Sequence, residues 1–306
     1  MENYSNSREI VKYIPYWLNF NAKVNQELLL WKNDQVQVST QRNKRNLKFA
    51  LSKENTKRLL GQVHHAYNTD INDVLITALG IALYDWLKVK QIVINMESHG
   101  RTDILPDLNI TRTVGWFTSQ CPVLLCMYEP DNLSEWIIKT KENLRTIPNK
   151  GLDYEVLKYL SPESLRAPLV FSIEPEINFN YLGQLDPISS SPYFQLSSYS
   201  SAASFGPEGL GNISPNNELC YALEITGYIT ADQLHLSIGY DIARISGQEI
   251  QHLAEGYEKQ LIRIIQHCID KKEQVRTPSD FTLKDLKEED LDMIYDVLLS
   301  SLNSKH

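Results

Sequence analysis

Residues 219–241 read LCYALEITGYITADQLHLSIGYD. Two stretches of alternating apolar and polar residues, 219–229 and 233–241, flank a short turn at Ala231 and Asp232, which is the pattern of an antiparallel hairpin. Working outward, QIVINME at 91–97, CPVLLCMY at 121–128 and INFNYLG at 177–183 are β-branched or apolar runs of strand length. Helical signals lie between and around them. Ser52 is placed to cap a helix ending near Tyr67, and Asp70 or Asn72 to cap DVLITALGIALYDWLK, whose apolar residues surround most of the helix and predict deep burial. Asp131 or Ser134 opens EWIIKTKENLRTI, YEVLKYL forms one further short helix, and Ser246 caps the amphipathic run GQEIQHLAEGYEKQLIRIIQHCIDKK. Strands interspersed with helices, with at least one hairpin, imply a mixed-sheet α/β sandwich in preference to a doubly wound parallel sheet. Residues 186–217, rich in Ser, Pro, Gly and Asn, read as a loop or lid, and KEEDLDMIYDVLLSSL at 287–302 as a final acidic helix.

Composition narrows the function classes. Among 306 residues, 42% are hydrophobic and 22% charged, which is globular composition without a solenoid repeat. Thirty Lys and Arg against 38 Asp and Glu leave a net charge of -8, so bulk attraction to nucleic acid or an anionic membrane is not expected. No apolar run is long enough to span a bilayer and no secretory signal opens the chain, which makes the cytoplasm the expected compartment. Cys121, Cys126, Cys220 and Cys268 form no CxxC pair or Cys/His knuckle. They read as reduced thiols, and no metal site is expected. No glycine-rich phosphate loop opens a helix.

Three places could carry chemistry. His64 and His65 invite comparison with the HHxxxDG element of acyl-transfer enzymes, but Thr69 stands where the aspartate should, Asp70 comes one position late and no glycine follows. They are expected on a helix surface near a C-terminus, where the dipole favours a cation. Glu97, directly after the strand QIVINM, is followed across a glycine by Arg101. A carboxylate at a strand end is either a base tuned by the arginine or half of an ion pair closing the turn. Asn180 faces away from Phe179 and Tyr181 in its strand, and an amide there is either a site residue or a bridge across the sheet. TVGWFTS at 113–119 reads as a packed turn, with Gly115 for backbone freedom and Trp116 and Phe117 as anchors.

MESHGR at 96–101, RTVGWFTSQCPVLL at 112–125, GLDYEVLKYL at 151–160 and INFNYLGQLD at 177–186 occur in the order and spacing of the epimerization domains of nonribosomal peptide synthetases. Tyr16-Trp17 and AYNTDINDVLITAL at 66–79 extend the resemblance over nearly the whole chain. The resemblance implies the chloramphenicol-acetyltransferase-like condensation fold, a pseudo-dimer of two lobes. It also implies a substrate, an aminoacyl or peptidyl thioester, carried on the 4'-phosphopantetheine of a peptidyl carrier protein, with no cofactor bound directly. Glu97 matches the family's acid/base glutamate, Arg101 the arginine of that motif, and Asn180 with Tyr181 the polar pair of the FNYLG strand. His99, Trp116 and Ser119 are expected at the substrate. Ser98 replaces the usual glycine, Thr102 the usual acid, and GLDYE departs from GxGYG.

The family's HHxxxDG motif belongs upstream of Tyr16, in an N-terminal lobe. Residues 1–275 are therefore expected to be a C-terminal lobe, with 276–306 a linker and acidic helix. This half-domain would pair with a complementary N-terminal lobe and be inactive alone. A non-catalytic docking module for carrier protein or partner lobe, and condensation-type acyl transfer, are the competing readings.

Overall fold

The computed structural model describes residues 1–24, 39–102, 104, 109–126, 132–185, 213–282, 290 and 293. The expected loop at 186–217 and the acidic helix at 287–302 lie largely outside those residues.

The described strands are β1 (Lys44–Ala50), β2 (Gln91–Ser98), β3 (Ser119–Cys126), β4 (Ile177–Gln184), β5 (Leu223–Thr230) and β6 (Gln233–Asp241). They form one sheet in the order β1-β6-β5-β4-β2-β3. The outer pairings, β1 with β6, β6 with β5 and β2 with β3, are antiparallel, whereas β2 with β4 and β4 with β5 are parallel. The mixed sheet anticipated from the hairpin is thus present. Its turn places Ala231 at φ 49° and Asp232 at φ 63°, both left-handed, and the strands pair in register from Thr230↔Gln233 to Leu223↔Tyr240. Two left-handed residues match the strand twist, and the hairpin closes tightly even without a glycine.

Besides the short helices Glu2–Ser5, Arg8–Val11 and Glu163–Arg166, the described helices are α1 (Ile14–Lys23), α2 (Lys53–Gly61), α3 (Ile71–Leu87), α4 (Leu133–Thr146), α5 (Leu152–Glu155) and α6 (Gly247–Asp270). Ser52 caps α2 through the Asn55 N–H, but the helix stops at Gly61 and a separate 3-10 turn carries Val63–His65. Asp70 caps α3 in a reciprocal box with Asp73, and Ser246 caps α6 in the same way with Glu249. The cap of α4 is Asn132, whose side chain accepts from the Glu135 N–H, in place of the expected Ser134; Asp131, the other expected cap, lies outside the described residues. α5 continues into a single π turn, Val156–Leu160.

Alternation along the strands sorts the sheet into two faces. Phe179, Ile225, Ile238 and Leu236 join the core under α3 and α6, where the fully buried Tyr257 hydroxyl donates to the Leu75 carbonyl at 3.1 Å. The other face carries Asn95, Glu97, Asn178, Asn180, Glu224 and Thr226, a polar surface running across β2, β4 and β5. Past residue 275 the chain stays in contact with the body. Val275 N–H donates to the Ala66 carbonyl, and Asp280 pairs with the buried Lys141 of α4 at 2.6 Å.

Candidate active site

The parallel pairing of β2 with β4 sets Asn95 opposite Asn178, so Glu97 and Asn180, two residues further on, follow on the same face. Asn178 Nδ2 donates to Glu97 Oε1 at 2.7 Å and Asn180 Nδ2 to Glu97 Oε2 at 2.6 Å. Each carboxylate oxygen thus has its own amide donor, and the group is held in one orientation at the end of its strand. Asn180 serves as the sheet-bridging amide and, through the same bond, as a partner of the candidate base. Asn178, Asn95 and Tyr221 went unnoticed in the sequence. The signal was available, since each asparagine stands two residues before the group singled out and period two puts both on one face.

The two expectations for Glu97 with Arg101 are corrected here, because the side chains do not pair. Arg101 donates to the carbonyl of Ile110 and, at 2.9 Å, to that of Thr113, with its guanidinium 4.3 Å from the centre of the Phe117 ring. It ties together the loop that returns from β2 to β3. Between them Gly100, at φ +61°, is buried so closely that a Cβ would lie 1.5 Å from the Phe117 carbonyl oxygen. Only glycine admits that approach, and it turns Arg101 away from Glu97. Gly115 adopts no left-handed conformation, so its expected backbone freedom is unused.

A cleft of about 490 Å³ runs past the Asn95 end of this cluster, walled by Asn95, Gln120, Tyr154, Glu155, Tyr221 and Arg244. Tyr221 Oη accepts from Asn95 Nδ2 at 3.0 Å. Burial, with the neighbouring Cys220, Glu97, Glu224 and Glu155 adding to it, pushes the Tyr221 phenol above its ordinary value. Glu155, in the stretch that departs from GxGYG, accepts from the backbone N–H of Gln120 at 3.0 Å and so occupies the edge of β3. Burial raises its pKa, the Gln120 bond and Lys158 oppose the rise, and the charge of Glu97 adds to it. Gly151, at φ +87°, lets this segment sit against Cys121, whose Sγ would be 2.2 Å from a Cβ.

The remaining expected site residues do not converge on Glu97. The exposed His99 accepts the Arg101 N–H on its own Nδ1 at 3.0 Å, within the turn. Ser119 is 2% exposed and bonds Ser98 at 2.7 Å. Trp116 is 90% exposed and Val114 fully so, which corrects the reading of Trp116 as a packed anchor; Phe117 alone is packed, beneath Arg101. Tyr181 projects from the face opposite Asn180 onto the core, where burial pushes its phenol up to about 12. Of the two histidines, both in the 3-10 turn, His65 is exposed as expected, whereas His64 is half-buried, bonds Thr69 Oγ1 across 3.2 Å, and has its pKa lowered by burial, which works against the cation expected at a helix end. Among the described residues no group of three or more His, Cys, Asp or Glu side chains is placed to hold a metal, and no helix is long and apolar enough to cross a membrane.

The family model described as the condensation domain matches residues 1–287. The chain is 45% identical over 303 residues to Gramicidin S synthase 1 of Brevibacillus brevis, a match covering 99% of this chain and 27% of the relative. It spans little more than a quarter of the length of such curated relatives. Among solved structures, the epimerization domain from the third module of tyrocidine synthetase B superposes with a TM-score of 0.79 at 41% identity, covering 89% of this chain and 59% of that one. The first condensation domain of the CDA synthetase, at 15% identity and a TM-score of 0.53, covers 89% of this chain and 53% of its own, and shares the fold alone. With its mixed sheet and the match from residue 1 to 287, the chain belongs to the condensation-domain family of nonribosomal peptide synthetases.

Proposed function

We propose that the chain supplies the glutamate side of an epimerization site that inverts the α-carbon of an aminoacyl or peptidyl thioester, presented on the phosphopantetheine arm of a peptidyl carrier protein. The observation that carries this reading is the Glu97 carboxylate, oriented by two amide donors on the open face of the sheet beside a cleft. The thioester acidifies the α-hydrogen, Glu97 removes it as a proton, and the enolate collapses when a proton returns to the opposite face. A complementary lobe facing the polar sheet would complete the site and hold the enolate. The 41% identity to a solved epimerization domain, of which this chain covers 59%, supports that arrangement.

The test is solvent-deuterium incorporation and chirality of a carrier-loaded aminoacyl thioester, measured with the chain alone and with an N-terminal lobe added. Inversion is expected only with the lobe, and Glu97→Gln should lower it by about 10²–10⁴-fold. An unchanged rate in Glu97→Gln refutes the base, and peptide-bond formation in the same assay points to condensation chemistry. The exposed Val114 and Trp116 favour a second reading, a docking module for the carrier or the partner lobe. Carrier binding that survives Glu97→Gln, with no inversion by any combination, is its signature.

A further inference from the structure

Glu97 is the end of a longer chain of hydrogen bonds, in which Asn178 reaches its carboxylate directly and Asn95 and Tyr221 connect to it only through Asn178. Asn178 Oδ1 accepts from Asn95 Nδ2 at 2.8 Å, and the same Nδ2 donates to Tyr221 Oη at 3.0 Å. Asn95 is 6% exposed and Asn178 7% exposed. An ionised carboxylate only accepts, so it requires the Nδ2 end of Asn178; the Oδ1 end must then face Asn95, which in turn must present Nδ2. The charge on Glu97 therefore sets the direction of both amides, and the direction of the amides sets the carboxylate. Buried amides linked in this way have a single satisfied orientation.

We propose that Asn95, Asn178 and Tyr221 are positioning residues for Glu97, forming a directional relay from the cleft wall to the base. The rate effects of this proposal rest on the reading of Glu97 as the base, whereas the relay itself can be read without any activity. Asn95 does not touch Glu97, yet its amide direction depends on it.

The first measurement is the ¹⁵N NMR signal of the Asn95 side-chain amide in the full chain. Glu97→Gln, which presents a donor as readily as an acceptor, releases the direction of Asn178 and should shift the Asn95 signal; Asn178→Leu should shift it too. Unmoved Asn95 signals in both variants, with backbone spectra showing them folded, overturn the relay. The second measurement is deuterium incorporation in the reconstituted assay. Asn95→Asp turns an acceptor toward Asn178 Oδ1 and favours flipping that amide onto the carboxylate, whereas Asn95→Leu leaves Asn178 free to keep Nδ2 on Glu97. Asn95→Asp should lower kcat about tenfold or more at unchanged KM, with Asn95→Leu losing less. A merely structural amide would reverse that order, and that result refutes the positioning role. If Glu97→Gln leaves the rate intact, the base reading fails, while the NMR arm still decides the relay.

Discussion

Replacing Asp280 with alanine strands a buried cation. Lys141 Nζ donates to both Asp280 oxygens, at 2.6 and 2.7 Å, to Thr277 Oγ1 at 2.8 Å and to the Tyr67 carbonyl at 2.9 Å. The two charged side chains are 1% and 5% exposed. Removing the carboxylate leaves an ammonium facing only neutral acceptors in a site closed to water, and breaking such a pair costs about 3–5 kcal/mol. With a urea slope of about 3 kcal/mol/M, the unfolding midpoint should fall by about 1 M or more. The buried Trp17 and Trp136 provide the fluorescence signal. A loss below about 1 kcal/mol, the size measured for exposed pairs, would refute the reasoning and show that water reaches Lys141. The compensating double change Lys141→Met with Asp280→Leu should recover most of the loss, because an apolar pair incurs no desolvation penalty. The pH dependence has a fixed sign. Burial alone would raise the Asp280 pKa, but Lys141, the Thr277 N–H and the Asn68 amide outweigh it and hold the group below its ordinary value. Its contribution is present above the unfolded pKa and is lost as the pH falls through the lower folded value, so acid should weaken the native protein and close its gap to Asp280→Ala.

Two further substitutions probe the turn after Glu97. Gly100→Ala forces a Cβ to within 1.5 Å of the Phe117 carbonyl oxygen at φ +61°, and is expected to destabilise the chain by about 2–4 kcal/mol, read as a lower thermal midpoint. Arg101→Met removes the bonds to the Ile110 and Thr113 carbonyls and the contact with Phe117 while leaving Glu97 and its amides in place. Faster hydrogen exchange in residues 109–118, with unchanged Asn178 and Asn180 side-chain signals, is the expected result; shifted Asn signals would show that the loop and the base are coupled.

Much of this architecture was legible because its signals are local. The hairpin at 219–241 announces itself by alternation and a short turn, and its antiparallel pairing makes the sheet mixed. Ser246 and Asp70 are caps because short polar side chains before apolar runs satisfy helix N–H groups. The cap of α4 differs from the expected Asp131 or Ser134 by one or two residues because Asp131, Asn132 and Ser134 are all competent by residue type and only the backbone geometry selects Asn132. Glu97 and Asn180 stood out for local reasons too, the first as a carboxylate where a strand gives way to a loop and the second as an amide at a strand position that disfavours it.

Which groups meet across the sheet is a different kind of fact. Glu97 and Arg101 are four residues apart, and sequence proximity implied that they interact; the left-handed turn at Gly100 separates them. Asn178 and Asn180 are more than 80 residues from Glu97, and the parallel register of β2 on β4 brings both to its carboxylate. Tyr181 shares a motif with Asn180 but faces the core, because neighbouring strand residues point to opposite sides. The sequence by itself determined most of the elements and the mixed sheet, since these depend on local pattern, and the family resemblance singled out Glu97 as the candidate base. Only the tertiary structure decided the partners of that base, because strand register, set by packing over the whole core, is not encoded in any one segment.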